Sequence, residues 1–175
     1  MALVVLLRGV NVGGHRTFRP SALAKELAEL DVVNIGAAGT FVVRAPVTEA
    51  RARAELASRL PFETEIVIRP GREFVRAMSP SHFAGQPESR EVVRFVSTLA
   101  AAPRSAPELP SEFTHDGQWL VRLLARDGRF VFGVYRRHMK AIEILGRIDR
   151  LFGASLTTRN WNTIASILAV LEGDA

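Results

Sequence analysis

The chain has 175 residues, of which 47% are apolar and 23% are charged, a balance typical of a globular protein and not of a disordered one. It contains no cysteine, which excludes disulfides, thiolate zinc sites, iron–sulfur clusters and a cysteine nucleophile, and which suits a reducing cytoplasm. The net charge is +5 at pH 7, so the composition favours anionic partners such as nucleic acid, nucleotides and phosphorylated metabolites.

The apolar run at the N-terminus predicts a strand and not a signal peptide. It extends only from Ala2 to Leu7, no basic residue precedes it, and no small-residue cleavage site follows promptly. Because residues 3–7 are apolar without alternation, we expect a strand that is buried on both faces. No run approaches the length of a membrane span, so we expect a soluble, cytoplasmic protein with no membrane partner.

The first 70 residues predict an alternation of strands and helices. Leu23, Leu27 and Leu30 recur at helical spacing. Pro20 suits the first turn of this helix, and Pro61 ends a second helical segment. The predicted elements are, in chain order, a strand at 3–7, a helix at 20–30, strands at 32–35 and 41–43, a helix at 47–60 and a strand at 63–69. This β-α-β-β-α-β order is that of ferredoxin-like domains, in which an antiparallel sheet carries both helices on one face.

The second half of the chain is less regular, and its clearest signal is a hairpin. Two apolar segments, 119–125 and 130–135, flank Asp127-Gly128, a dipeptide typical of tight β-turns. The other predicted elements are a short helix at 71–78, a loop at 80–87, a strand at 92–96, an extended connector at 100–110 and a helix at 160–171. We therefore predict an α+β fold with antiparallel sheets and helices on one face. A ferredoxin-like N-terminal half at 1–70 is followed by a second α/β half at 71–175, an α+β subdomain packed on the first.

A glycine-rich turn follows the first strand, in the stretch LLRGVNVGGHR at 6–16. Gly9 and Gly14 have the outer spacing of the phosphate-binding loop G-x-x-x-x-G-K-[ST], in which backbone N–H groups cradle phosphates and the lysine reaches the terminal phosphates. Here His15 replaces the lysine and Arg16 replaces the hydroxyl residue that holds magnesium. The sequence therefore excludes a nucleoside-triphosphatase of this kind.

A simpler anion site at this turn stays open. Adjacent Gly13 and Gly14 can take left-handed conformations and direct their N–H groups into a concave anion-binding nest. Arg8, His15 and Arg16 would add positive charge. The alternative is a loop in which the glycines only satisfy the backbone geometry.

The second unusual stretch, TTRNWNT at 157–163, precedes the last helix. It offers more capping residues than one helix needs: Thr157, Thr158, Asn160, Asn162 and Thr163. A helix N-terminus beside Arg159 suits an anion, and Trp161 could stack on a base or ring. Alternatively, one residue caps the helix, Trp161 packs in the core and Arg159 pairs with an acid.

The most basic segment is 136–159, with six arginine or lysine residues against two acidic ones. Such a segment either binds an anionic partner or keeps a solvated surface, and we favour the second, so a nucleic-acid partner is only weakly supported. The four histidines match no metal-ligand spacing, and neither a metal nor a cofactor is expected. Glu63 and Glu65 lie two apart on a predicted strand and indicate a solvated edge.

Together, LLRGVNVGG at 6–14 and TTRNWNT at 157–163 resemble the bacterial domain-of-unknown-function family 1697. The resemblance covers nearly the whole chain and implies an α+β fold built from two ferredoxin-like halves, with no established activity. The pattern at both ends implies that the two stretches meet in space, either as a ligand site or as a structural junction. The sequence departs from the family at 38–41, Ala-Gly-Thr-Phe, where the family usually has a serine-glycine-asparagine turn. No polar role is therefore carried over to that turn.

Three kinds of function follow from these features, and we rank a binding module first. In it, the glycine-rich turn and the N-terminus of the last helix form one pocket for a nucleotide, a nucleic-acid end or a phosphorylated metabolite. The candidate ligand-binding residues are Arg8, Asn11, Gly13, Gly14, Arg159, Asn160, Trp161 and Asn162. The second is an enzyme acting on a small phosphorylated substrate, with His15 or His138 as general acid or base. The third is an interaction protein that associates through open sheet edges and needs no ligand.

Overall fold

The computed structural model describes residues 1–11, 14 and 17–173. The strands are β1 (Leu3–Leu7), β2 (Val32–Asn34), β3 (Thr40–Val43), β4 (Ile66–Pro70), β5 (Val92–Leu99), β6 (Ser111–His115), β7 (Gln118–Asp127), β8 (Phe130–Arg136) and β9 (Leu156–Asn160). The α-helices are α1 (Pro20–Glu26), α2 (Glu49–Arg59), α3 (Gly71–Ala77), α4 (Met139–Leu145), α5 (Asp149–Phe152) and α6 (Trp161–Glu172). Short 3-10 helices span Ala28–Leu30 and Pro80–Phe83.

The chain divides into two compact units. Unit 1 comprises residues 1–76 and 162–175, and unit 2 comprises residues 77–161. The sequence prediction grouped the last helix with the second half, at 71–175, whereas α6 belongs almost entirely to unit 1. No helix in the described part of the chain is long and apolar enough to cross a membrane.

The unit 1 sheet has the strand order β2-β3-β1-β4, with every neighbouring pair antiparallel. The β-α-β-β-α-β order predicted for residues 3–69 is the order observed, with one short 3-10 helix inserted before β2. In β1 no residue is more than 5% exposed, as expected for a strand buried on both faces. Because β1 lies between β3 and β4, the turn that follows it leaves the middle of the sheet.

Both α1 and α2 pack on the same face of this sheet, as predicted. Leu23 and Leu27 of α1 and Leu56 of α2 join one buried cluster. The sheet contributes alternate residues to that cluster: Leu3, Val5, Leu7, Phe41, Val43, Ile66 and Ile68. Alternate residues of each strand and the regularly spaced leucines of α1 therefore face the same core. The sequence pattern by itself identifies these residues.

The unit 2 sheet has five antiparallel strands in the order β6-β7-β8-β5-β9. The predicted hairpin is present, because Asp127 pairs with Phe130 and Gly128 takes a positive φ of 56° in the turn between them. Four further elements were not predicted: β6, β9, α4 and α5. The sequence of β6, SEFTH, is largely polar, so it follows the proline-rich connector without a hydrophobic signal of its own.

Residues 157–160 form a strand, which corrects the prediction that they cap the last helix. They belong to β9, where Thr157 pairs with Thr98 and Thr158 with Ser97 of β5. The helix begins only at Trp161. Threonine is β-branched, so it suits a strand as well as a helix cap. The strand forms here because its partner β5 lies some 60 residues earlier in the sequence, as the hydrogen bond between Ser97 and Thr158 shows.

Helical segments lie on both faces of the unit 2 sheet, where one face was expected. Ala141 of α4 and Phe152 of α5 pack in a cluster with Phe95 and Val131. On the opposite face, the 3-10 helix Pro80–Phe83 places the His82 ring parallel to the Phe132 ring, with centroids 3.9 Å apart. A segment predicted to be a plain loop therefore covers part of that face.

Candidate functional site

Arg8 follows β1 directly and forms the base of the glycine-rich turn. Its guanidinium lies 3.5 Å from the Glu65 carboxylate, with both side chains about two-fifths exposed. The backbone of Arg8 is also held, since its N–H donates to the Glu65 carbonyl and its carbonyl accepts from Thr64 Oγ1 at 2.6 Å. Arg8 is thus a positioned cation at the protein surface, with a carboxylate as its present partner.

Asn11 holds the turn in shape through both ends of its amide. Nδ2 donates to the carbonyl of Ala37 at 2.7 Å, and Oδ1 accepts from the N–H of Phe18 at 3.0 Å. The backbone of Asn11 has a φ of +54°, a conformation that asparagine tolerates better than most residues. This predicted ligand-binding residue therefore organises the loop with the same atoms that a ligand would need.

The described part of the turn is rich in left-handed backbone. Gly9 has a φ of +65° and Gly14 a φ of +78°, on either side of Asn11. A Cβ placed on Gly14 would meet no atom within 4 Å, so the space above this residue is open. Gly13, His15 and Arg16, which the sequence also assigned to this site, lie outside the described residues.

A surface groove of about 540 Å³ is built from the segment that joins α2 to β4. Its lining includes Leu60, Phe62, Glu63 and Thr64. Thr64 is the residue that binds the Arg8 carbonyl, and the Phe62 ring meets the Phe18 ring edge-on at 5.6 Å. The groove therefore lies against residues that support both ends of the glycine-rich turn, all within unit 1.

Arg159, on β9, is a buried residue of unit 2. Its exposure is 8%, and Nη1 donates to the carbonyl of Thr158 at 2.9 Å. Burial removes water from the guanidinium and lowers the pKa of Arg159 to about 10. Arg159 is thus a buried residue of the edge strand β9, whereas the sequence prediction placed it beside free N–H groups of a helix.

The other residues of the second stretch have separate surroundings. Trp161 is half-buried and meets the Phe83 ring edge-on at 5.1 Å, which agrees with the packing alternative for this side chain. Asn160 ends β9 and is exposed. Asn162 is exposed as well, and its carbonyl accepts from Ser166 Oγ. Asn162 belongs to unit 1 together with the glycine-rich turn, whereas the three residues before it belong to unit 2.

Sequence reasoning missed an arginine–tryptophan cluster on the unit 2 sheet. The guanidinium carbons of Arg122 and Arg136 lie 4.1 and 4.3 Å from the Trp119 ring centroid. Strict alternation along β7 would place Trp119 and Arg122 on opposite faces. An irregularity in the β6–β7 pairing places one extra residue, Leu120, between them and turns the tryptophan toward the arginine.

The histidines in the described ranges have structural partners. His138 Nδ1 accepts from the N–H of Lys140 at the start of α4, and His82 stacks on Phe132. No group of three or more histidine or acidic residues that could hold a metal ion occurs among residues 1–11, 14 and 17–173. Glu65 is an exposed residue just before β4 and pairs with Arg8.

The chain belongs to the family described as "Protein of unknown function (DUF1697)", which matches residues 1–119. The family resemblance predicted from the sequence is thereby confirmed, and the matched range includes the glycine-rich turn but not residues 157–163. No curated protein matches the chain. The chain is similar in structure to the conserved bacterial protein SP0830 from Streptococcus pneumoniae, with a TM-score of 0.54 and 16% identity over 95% of this chain and 96% of that one. This likeness extends the shared fold over nearly the full length.

Proposed function

We propose that this protein binds a phosphorylated small molecule, or another small anion, at the glycine-rich turn of unit 1. The observation that carries the proposal is a turn with left-handed backbone at Gly9, Asn11 and Gly14, which is braced by the Asn11 amide and begins at the surface cation Arg8. Backbone N–H groups of successive residues that alternate between right- and left-handed conformations point into one concavity, and such concavities bind anions.

The charge of the turn segment supports this ligand class. Residues 8–19 contain Arg8, Arg16 and Arg19 and no acidic residue. The ion pair between Arg8 and Glu65 is exposed to solvent, so it contributes little to the free energy of folding. Arg8 could therefore exchange the Glu65 carboxylate for a phosphate oxygen. A guanidinium binds phosphate in a bidentate manner. A backbone hydrogen bond to the Glu65 carbonyl holds the main chain of Arg8 at the start of the turn.

The neighbouring groove supports a ligand larger than a free ion. A volume of about 540 Å³ falls within the range of small-molecule sites, and Leu60 and Phe62 provide an apolar wall. A ligand whose phosphate lies at the turn would place its organic part against this wall. Glu63 could then accept a hydrogen bond from it, as could the Thr64 hydroxyl, whose proton is donated to the Arg8 carbonyl.

A thermal-shift series on the full chain tests the proposal, with inorganic phosphate, sulfate, nucleotides and sugar phosphates as probes. A ligand at about 100 times its Kd adds about 2.7 kcal/mol to the free energy of unfolding, which raises Tm by a few degrees. We expect Arg8→Gln to remove the shift. We expect Glu65→Gln to increase it, because the competing carboxylate is lost.

Arg51→Gln serves as the matched control, since Arg51 is an exposed arginine of the same unit on α2. A ligand-induced rise in Tm that persists in Arg8→Gln would show that the anion binds at another site. If no anion raises Tm, the turn has only a structural role. Asn162→Ala, an exposed change in unit 1, tests whether the start of the last helix contributes to the same site.

A further inference from the structure

Three arginines lie on one face of the unit 2 sheet, the face that carries the 3-10 helix Pro80–Phe83. Arg94 of β5 and Arg122 of β7 both pair with Val134 of β8, so the two arginines lie on the same face, one on either side of that residue. The guanidinium carbon of Arg94 lies 5.5 Å from the ring centroid of the phenylalanine that ends this 3-10 helix, which identifies the face. Arg136 stands two residues after Val134 on β8 and therefore points to the same face.

Two of these arginines share one aromatic ring. The guanidinium carbons of Arg122 and Arg136 lie 4.1 and 4.3 Å from the Trp119 ring centroid. Contact with the ring restricts the rotamers of both arginines, so little side-chain entropy is lost when a ligand binds to them. Two positive charges are thereby held close together, and this arrangement favours an anion that contacts both.

The three arginines differ in their carboxylate partners. Arg94 pairs with Glu88 at 2.5 Å, and Arg122 pairs with Glu112 at 2.7 Å. Arg136 has neither an ion pair nor a hydrogen bond from its side chain to any residue that the structure describes. Its Nε is enclosed by the protein, whereas its two terminal nitrogens reach solvent. The cluster therefore has an arginine without a carboxylate, and the accessible part of that arginine is its terminal end.

Arg122 also retains a terminal nitrogen for a ligand. Its Nε donates to Glu112 Oε2, and its Nη1 donates to Gln86 Oε1 at 3.3 Å, whereas Nη2 donates to no described residue. The Arg122 side chain is 27% exposed and that of Glu112 is 46% exposed. An ion pair so exposed contributes little free energy, so the Glu112 carboxylate is a weak competitor that another anion can displace.

We propose that the terminal nitrogens of Arg122 and Arg136, held against Trp119, bind the oxyanion of a ligand, either a carboxylate or a phosphate. Guanidinium groups bind both oxyanions through paired N–H donors, and such charged hydrogen bonds are roughly twice as strong as neutral ones. These residues belong to unit 2, whereas the glycine-rich turn belongs to unit 1, so either site can fail its test without the other.

The test records ¹H–¹⁵N correlation spectra of the full chain while sodium acetate or sodium phosphate replaces sodium chloride at constant ionic strength. Trp119 and Trp161 are the two tryptophans of the chain, so Trp161→Phe assigns the indole N–H signal of Trp119. Arg136→Lys assigns the Nε–H signal of Arg136 in the same way. We expect both signals to shift saturably with at least one of the two anions. The anion that binds more tightly identifies the ligand group as a carboxylate or a phosphate.

Substitutions at the two ends of the cluster should change the affinity in opposite directions, with the Trp119 indole signal as the readout. Arg136→Gln should weaken binding about tenfold, because hydrogen bonds to a charged group are lost. Arg136→Lys keeps the charge but not the planar fork, so its affinity should be intermediate. Glu112→Gln should strengthen binding, since Arg122 then has no competing carboxylate. A purely structural role of the cluster does not predict this gain.

Arg126→Gln is the matched control, because Arg126 is an exposed arginine of β7 whose Nη1 donates to the carbonyl of Gly128. It should leave the affinity unchanged, as should Arg8→Gln in unit 1. Equal losses in Arg126→Gln and Arg136→Gln would overturn the proposal in favour of diffuse attraction to a chain with a net charge of +5. Shifts that saturate with neither anion, or an affinity that Glu112→Gln fails to raise, would overturn it as well.

Discussion

At the scale of single residues, the hydrogen-bond partners of a polar side chain indicate what that side chain does for the fold. Asn11 uses both amide ends on the backbone carbonyl of Ala37 and the N–H of Phe18. Arg136 lies against one ring and has a buried donor without a partner. Asn11 is therefore expected to affect stability.

Asn11→Ala should lower the free energy of unfolding by about 2 kcal/mol. Two hydrogen bonds are lost, each worth about 1 kcal/mol, and alanine is also less tolerant of the left-handed backbone at this position. Asn11→Gly, which removes the same bonds but accepts the backbone, should cost less. Urea unfolding of the two variants checks this, and equal midpoints for Asn11→Ala and the parent chain would show that the amide does not brace the turn.

At the scale of elements, the central strands of unit 2 are fixed by close packing as well as by hydrogen bonds. Gly133 of β8 lies between its neighbours β7 and β5, where it is paired with Leu123 and with Phe95. A Cβ on Gly133 would approach the Arg122 carbonyl oxygen to 2.6 Å and would also collide with the Phe95 ring. Glycine is needed here for space rather than for an unusual backbone angle.

Gly133→Ala should destabilise the protein by about 1–3 kcal/mol, because the added methyl group forces the Phe95 ring or the β7 backbone to move. Gly128→Ala in the hairpin turn is the comparison, since no atom lies within 4 Å there and only the positive φ of 56° opposes the change. Thermal melts of both variants measure the difference. A Gly133→Ala variant as stable as the parent would mean that the ring relaxes at no cost.

At the scale of the whole molecule, unit 1 is discontinuous in sequence. Besides its first 76 residues it includes the helix α6 from the C-terminal end, with Ile164 and Ile167 buried and Leu171 close to Gly71. We therefore expect α6 to contribute to the stability of the sheet around β1, whose residues lie more than 150 positions away in the sequence. The glycine-rich turn leaves that same sheet.

Ile167→Ala should therefore cost about 2–5 kcal/mol, the range for a fully buried isoleucine. Hydrogen exchange gives the specific readout, because amide protection in β1 should fall although the change lies in α6. Ser166→Ala, an exposed change on the same helix, should leave protection in β1 unaltered. Faster exchange confined to α6 in Ile167→Ala would argue that the helix does not stabilise the sheet.

Local patterns were sufficient for the first sheet and insufficient for the candidate sites. The continuous apolar run at 3–7 and the leucines at helical spacing in α1 specify which face each element buries, so the order of unit 1 follows from them. The stretch 157–160 has no such pattern, and its strand depends on pairing with β5. Trp119 and Arg122 appear on opposite faces in any strict alternation, and only the extra residue at Leu120 brings them together.

The sequence by itself therefore determined the family, the α+β class, the element order of residues 3–69 and the hairpin at Asp127-Gly128. These features depend on spacings of two to four residues or on a two-residue turn, where the side chains alone restrict the backbone. The tertiary structure decided that Arg159 is buried in a strand, that α6 completes unit 1 and that Arg136 faces Trp119. The first two depend on partners far away in the sequence, and the free energy of such pairing is set by the packing of the whole unit. The third depends on the irregular pairing of β6 with β7, which strict alternation along a strand does not predict.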